Sequence, residues 1–323
     1  MNRLAAAVLA VLGFAAVFGV ARAQDYPSHP IKLILPQPPG GAVDMIARTL
    51  ADRLSEQMKQ PVIVENKPGA NGGIAAADVT RSAPDGYTLL VAVDTNLVVN
   101  PTLYPDLPYA PFRDFTPLSV LTRVELVLMT NPKVPVASVR ELVAYAKANP
   151  GKLNYASIGL GTQQHLGMEL FKLMTKTDIN QVEYRGSAAA MVDLAAGQVE
   201  VMINGPSLAK PLAEAGKLKL LAVTGRQRSP YLPDVPTVEE SGVPGYEVTG
   251  WFGIVAPAAT PQPILDRLTG EVRKAVADQK FRDRMMAQGL EPVGSTPAEM
   301  LALMQSDTKK WADVITATGA KIQ

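Results

Sequence analysis

The 323-residue chain contains no cysteine and only two histidines, His29 and His165. The lack of cysteine excludes a disulfide framework, thiolate metal sites and a lipid-modified N-terminal cysteine. The motifs of serine hydrolases, zinc proteases, phosphate-binding loops and dinucleotide-binding folds are missing as well. We therefore expect a protein that is not an enzyme and that needs no metal and no cofactor.

Charge of one sign is also lacking, since 31 basic residues face 30 acidic ones. Loss of the first 23 residues would remove Arg3 and Arg22 and leave 29 basic residues, a net charge of −1. Such a balance gives no electrostatic basis for binding nucleic acid or an anionic membrane surface.

Long apolar runs are confined to the N-terminus, where Leu4 to Val20 follows the basic Arg3 and precedes Ala21-Arg22-Ala23. This order is typical of a secretory signal peptide, residues 1–23, cleaved after Ala23. An N-terminal membrane anchor is the alternative, but the small residues at the cleavage site favour the signal. Charged residues or Pro and Gly interrupt every later run, so we expect a soluble mature protein.

Strand and helix patterns alternate along the mature chain, which predicts an α/β protein with mainly parallel sheets. Its roughly 300 residues exceed the usual size of one domain. We predict two lobes joined by two crossings, with residues 24–124 and 250–323 in the first lobe and 125–249 in the second. Such a clamshell binds a ligand between its lobes and closes over it.

Polar or glycine-rich loops recur between a strand and the helix that follows it. They lie at residues 36–41, 66–73 and 94–96 in the predicted first lobe, and at 157–165, 185–188 and 204–207 in the second. In a parallel sheet these loops share one edge, and the helix N-termini there offer backbone N–H groups to an anion. A single glycine-rich loop is usually only a turn. Several of them facing one cleft predict a site for a small carboxylate.

Several segments, taken in order, extend along most of the mature chain and identify it as similar to a known family. They are Tyr26-Pro27-Ser28, Pro38-Pro39-Gly40-Gly41, Glu65-Asn66-Lys67-Pro68-Gly69-Ala70, Ala83-Pro84-Asp85-Gly86-Tyr87-Thr88-Leu89-Leu90, Gly197-Gln198-Val199, Ala215-Gly216-Lys217-Leu218, Leu232-Pro233-Asp234-Val235-Pro236-Thr237 and Pro292-Val293-Gly294. In this order they resemble the Bug (TctC-like) periplasmic solute receptors of tripartite tricarboxylate transporters.

The resemblance implies a type II-like periplasmic binding protein, a monomer that delivers a carboxylate to a permease made of a small and a large membrane subunit. It also implies a di- or tricarboxylate or an aromatic acid as ligand. The ligand-binding residues that we predict are Pro38, Gly40, Gly41, Ala42, Thr95, Asn96, Thr162, Gln163, His165, Arg185, Gly186, Ser187, Ala188 and Asn204. Either Thr95 or Asn96 would make the contact after the third strand.

Three positions depart from the family pattern: Gln37 replaces a usual aromatic residue, Arg185 a usual Lys, and Asn204 a frequent Asp. Loss of the acid at Asn204 argues against a ligand with an ammonium group. Arg185 would either bind a second carboxylate or lie on the surface. His165 would either donate to the anion or cap and pack its helix.

Two other functions stay open at this point. One is a secreted hydrolase or isomerase on the same fold, and the other is a sensory receptor that passes its closed form to a signalling protein. The identity of the carboxylate stays open too, because backbone donors serve chemically different acids alike.

Overall fold

The computed structural model describes residues 26–319, so the predicted signal peptide lies outside the described residues. The strands are β1 (Ile31–Leu35), β2 (Val62–Asn66), β3 (Thr88–Val93), β4 (Phe115–Glu125), β5 (Val127–Thr130), β6 (Leu153–Ser157), β7 (Ile179–Glu183), β8 (Val201–Asn204), β9 (Lys219–Val223), β10 (Thr249–Pro257) and β11 (Leu290–Pro292). The helices are α1 (Ala42–Met58), α2 (Gly73–Thr80), α3 (Asp94–Val98), α4 (Asn100–Leu103), α5 (Pro111–Asp114), α6 (Val139–Ala148), α7 (Gln163–Thr175), α8 (Ser187–Ala196), α9 (Pro206–Glu214), α10 (Gln262–Ala277), α11 (Gln279–Met286) and α12 (Pro297–Thr318).

The strands form two separate sheets. The first has six strands in the order β11-β4-β10-β3-β1-β2, and the second has five in the order β7-β6-β8-β5-β9. We call the six-stranded sheet and its helices the first lobe, and the five-stranded sheet and its helices the second lobe. The predicted two-lobe α/β architecture is confirmed.

The expectation of mainly parallel sheets needs a correction. Of the nine strand pairings in the two sheets of residues 26–319, four are parallel and five are antiparallel. The antiparallel pairings all involve the strands next to the passages between the lobes, β4, β5 and β10. β5 and β10 enter their sheets from the other lobe, and each runs antiparallel to its neighbours there. The parallel pairings belong to the strand-loop-helix units.

The chain passes between the sheets twice. β4 of the first lobe ends at Glu125, and β5 of the second lobe begins at Val127. The return passage runs between Val223 and Thr249. Helix α12 packs against β4 and α3 of the first lobe and also against α7 of the second, so it contacts both lobes.

Local sequence explains where the helices that matter for the site begin. Gly41 precedes α1 in an extended conformation, and Thr162 caps α7 by accepting the backbone N–H of His165. One face of each helix is buried, for example Val43, Ile46 and Leu50 of α1 against the first sheet. Within residues 26–319, no helix has the length and apolar character needed to cross a membrane.

Candidate ligand-binding site

A cleft of about 520 Å³ lies between the two lobes. Its lining combines residues of both sheets: Gln37, Gly40, Gly41, Ala42, Met45, Asn71, Val93, Thr95, Val124, Leu126, Ile158, Thr162, Gln163, Gln164, Ser187, Asn204, Gly205, Pro206, Ser207, Leu208, Phe252, Gln288 and Leu290. A recess of about 160 Å³ adjoins the cleft. The two share Gln37, Asn71, Val93 and Thr95, and the recess is also lined by Pro36 and Pro38 of the loop at residues 36–41.

Helix N-termini from both lobes open into this cleft. Ala42, Gln163, Ser187 and Pro206 are each the first residue of a helix, and all four line it. The first turn of a helix has N–H groups without intrahelical acceptors, and the helix dipole adds about half a positive charge at that end. The cleft is therefore electropositive through its backbone.

Among the residues that the structure describes, those that line the cleft include no Asp, Glu, Lys, Arg or His. Their side-chain donors and acceptors are the amides of Gln37, Asn71, Gln163, Gln164, Asn204 and Gln288 and the hydroxyls of Thr95, Thr162, Ser187 and Ser207. A ligand is consequently recognised by neutral hydrogen-bonding groups and backbone dipoles.

Most of the residues predicted for the site lie at this cleft. Gly40, Gly41, Ala42, Thr95, Thr162, Gln163, Ser187 and Asn204 line it, and Pro38 and Asn96 line the adjoining recess. His165, Arg185, Gly186 and Ala188 line neither space. Arg185 is exposed to solvent, so the structure favours the surface alternative over an inward clamp.

His165 lies behind the second-lobe loop instead of in the cleft. Its side chain is only 2% exposed, and its Nδ1 accepts the backbone N–H of Gly161 at 3.4 Å. Burial lowers the pKa of His165. A neutral, buried imidazole packs and positions the loop, so the structure favours the packing alternative over donation to the anion.

Asp44, which is buried in the first turn of α1, stabilises the loop of residues 36–41. Its carboxylate accepts the N–H of Gly40 at 3.1 Å, the amide of Asn66 at 3.1 Å and the guanidinium of Arg48 at 3.0 Å. The hydrogen bond from Arg48 is the main reason that the pKa of Asp44 is lowered. Asp44 thus fixes the loop and occupies one of its N–H groups.

Asn204 has a similar organising role in the second lobe. Its Oδ1 accepts the N–H of Gly205 at 2.9 Å, the hydroxyl of Ser187 at 3.3 Å and the amide of Gln164 at 3.4 Å. Three loops of the second lobe therefore meet at one oxygen atom, which holds Ser187 at the cleft.

A buried hydrogen bond joins the two lobes below the cleft. Gln163 of α7 donates its amide to the carboxyl of Asp94, which also accepts the N–H of Thr95. Asp94 is 1% exposed, and burial raises its pKa well above the usual value. Nearby, the indole of Trp251 donates to Asp307 of α12 at 2.8 Å.

Sequence reasoning missed much of the wall at one end of the cleft. Phe252 lies within an apolar strand pattern, which is as typical of a core residue as of a binding residue. Gln288 and Leu290 come from a loop and a three-residue strand near the C-terminus. No strand-loop-helix pattern marks this segment, so the sequence does not indicate that it belongs to the site.

The chain resembles known proteins over nearly its whole length. The family described as "Tripartite tricarboxylate transporter family receptor" matches residues 46–320. Protein BugT of Bordetella pertussis is 39% identical over 321 residues, which cover 98% of each chain. The structure of R. palustris Rpa4515 with adipate is 37% identical, with a TM-score of 0.82 over 92% of this chain and 100% of that one.

A second solved structure extends the comparison. MatC (Rpa3494) from Rhodopseudomonas palustris with bound malate is 32% identical, with a TM-score of 0.77 over 90% of this chain and 100% of that one. The family match spans most of the chain, and the relatives share its fold. The chain therefore belongs to the receptors of the tripartite tricarboxylate transporter family.

Proposed function

We propose that this receptor captures a small carboxylate between its lobes in the periplasm and delivers it to the small and large membrane subunits of a transporter. The observation that carries the proposal is the convergence of helix N-termini from both lobes on one cleft. Such an arrangement attracts a carboxylate and gives it hydrogen-bond donors without a charged side chain. Its relatives with adipate and malate support the same class of ligand.

The proposed lobes comprise residues 24–124 with 250–323 and residues 125–249, following cleavage of the signal peptide after Ala23. The proposed contacts are those at Gly41, Ala42 and Thr95 on one side and Thr162 and Ser187 on the other. A ligand that touches both sides stabilises the closed arrangement by its extra interactions there. The receptor acts as a monomer in this scheme.

Thermal unfolding with a panel of small carboxylates tests the proposal. A ligand present at 100 times its Kd stabilises the folded state by about 2.7 kcal/mol, which shifts Tm by several degrees. The corresponding amides serve as uncharged controls. If no acid at millimolar concentration raises Tm, the carboxylate proposal is wrong.

The alternatives that the sequence left open make different predictions. A hydrolase or isomerase would convert the bound acid, so product analysis after prolonged incubation with protein separates it from a receptor. A sensory receptor would have a sensor kinase encoded next to it, whereas a transport receptor would have permease subunits there.

A further inference from the structure

The two ends of the cleft differ in polarity because of the strand order of the first sheet. β1 and β3 lie side by side, and the lining residues that follow β1, β2 and β3 are Gln37, Gly40, Gly41, Asn71 and Thr95. β10, β4 and β11 form the opposite side of the sheet. We call the first side the polar end and the second the apolar end.

The apolar end is lined mainly by hydrocarbon. Phe252 of β10, Val124 of β4 and Leu290 of β11 line it, and Leu126 follows directly after β4. From the second lobe, Pro206 comes close to Gly289, where an added Cβ would lie 2.7 Å from its Cγ. Pro206 and the neighbouring Leu208 therefore face this end, and burial of their apolar surface favours an apolar ligand group.

No charged side chain lines this end among the residues that the structure describes. Among the described residues that line it, the polar side chains are the amide of Gln288 and the hydroxyl of Ser207, which lies between Pro206 and Leu208, and both are neutral. Behind the wall, Glu125 lies between Val124 and Leu126, and Glu291 follows Leu290. Burial raises the pKa of Glu125, and the nearby charge of Glu291 adds to that rise. Arg123 and Glu125 both alternate with Val124 along β4 and so point to the other face of the strand, and Arg123 stands opposite Glu291 in the register of β4 and β11.

We infer that the ligand carries a single carboxylate, bound at the polar end, and an uncharged aliphatic or aromatic body that lies against the apolar end. The inference rests on the proposed function and narrows its ligand class. At the apolar end a second carboxylate would leave water for a wall of hydrocarbon. It would find no cationic side chain among the described lining residues, and its donors there would be the start of α9, Ser207 and Gln288, all neutral, so its burial is costly. A methyl or methylene group at the same place has no polar hydration to lose, so its burial carries no such cost.

Calorimetric titration of the mature protein with matched ligands at pH 7.5 tests the inference. The pairs are adipate with its monomethyl ester and terephthalate with its monomethyl ester, and the dimethyl esters are the uncharged controls. We expect each monoester to bind at least tenfold more tightly than its diacid, and the diesters not to bind. Equal or tighter binding of the diacid overturns the inference but leaves the carboxylate receptor intact. If neither binds and no acid of the thermal-unfolding panel raises Tm, the proposed function itself fails.

Two variants locate the selectivity. Gln288→Lys places a cation at the apolar end and should improve diacid binding about tenfold relative to the monoester, whereas Gln198→Lys, with the same charge change on an exposed site outside the cleft, should not. Arg185→Gln should leave the ratio unchanged. An unchanged ratio for Gln288→Lys, or a selective loss of diacid binding in Arg185→Gln, would show that the second carboxylate is bound elsewhere and would overturn the inference. Circular dichroism confirms that each variant is folded.

Discussion

Asn204 is the residue at which a change of one atom should alter the charge of the cleft most directly. In Asn204→Asp a carboxylate oxygen keeps the three donors that Oδ1 now accepts, from Ser187, Gln164 and Gly205. The fold should therefore tolerate the substitution. The added negative charge should weaken carboxylate binding by about tenfold, or ~1.4 kcal/mol, at neutral pH.

Isothermal titration at pH 7.5 with any acid that binds the wild type measures this loss. Gln198→Glu has the same change in net charge at an exposed position of the second lobe and should bind normally. If Asn204→Asp binds as tightly as Gln198→Glu, Asn204 does not face the bound anion.

Asp94 should make stability depend on pH. Burial raises its pKa well above 3.8, so the folded protein holds this proton more tightly than the unfolded chain does. The free energy of unfolding must then fall as pH rises from about 4 through the raised pKa. The amide of Asp94→Asn cannot ionise. In that pH window the free energy of unfolding of this variant should therefore fall less steeply than that of the wild type, by up to ~1.4 kcal/mol per pH unit.

Urea unfolding at a series of pH values from 4 to 9 gives both slopes. The neighbouring Asp307 has a pKa that burial also raises, so part of the decline should persist in Asp94→Asn. The exposed Asp52→Asn is the matched control. Parallel curves for Asp94→Asn and the wild type would contradict the assignment of this pH dependence to Asp94.

At the residue scale, the sequence predicted positions that depend on local structure better than those that depend on tertiary packing. Helices that follow a strand and a loop begin at or directly after Gly41, Ala42, Thr162 and Ser187. Parallel strands of one sheet bring the starts of such helices to the same edge. The burial of His165 depends on how α7 packs, and spacing along the chain does not encode this.

At the scale of elements, helix α12 offers the clearest test of local sequence. Thr296 accepts the N–H of Glu299 at 3.2 Å, and Glu299 accepts the N–H of Thr296 at 2.8 Å, which is a complete capping box. Thr296→Ala should lower the free energy of unfolding by about 1 kcal/mol in urea titrations. Thr318→Ala, at the other end of the same helix, should change it little, and a comparable loss there would argue against the cap.

The start of β4 is hard to predict from the sequence because a proline lies inside the strand. Prolines are frequent before Pro117 and are typical of a connecting segment, yet β4 begins at Phe115 and includes Pro117. Pro117 pairs with Val255 next to an irregularity in the register, where a missing N–H is tolerated. By contrast, Ser138 caps α6 by accepting the N–H of Glu141, in agreement with the pattern of a Ser followed by a Glu three residues later.

At the scale of the whole molecule, the two lobes meet closely at Gly161 of the second lobe and Leu103 of the first. A Cβ at Gly161 would lie 2.3 Å from Cδ2 of Leu103, and φ at Gly161 is +74°. Gly161→Ala therefore strains the loop and also pushes the lobes apart. Gly216, with φ of +69° and no atom within 4 Å of its added Cβ, provides the strain without the contact.

Gly161→Ala should consequently weaken ligand binding by at least tenfold, whereas Gly216→Ala should bind as the wild type does, because closure requires the contact between the lobes. Each left-handed alanine should cost about 1 kcal/mol of stability in both variants. Small-angle scattering with saturating ligand should show a larger radius of gyration for Gly161→Ala than for Gly216→Ala. The double variant with Leu103→Ala removes the obstructing atoms and should recover most of the lost affinity. Equal binding by the two single variants would show that the ligand is held without this closed contact.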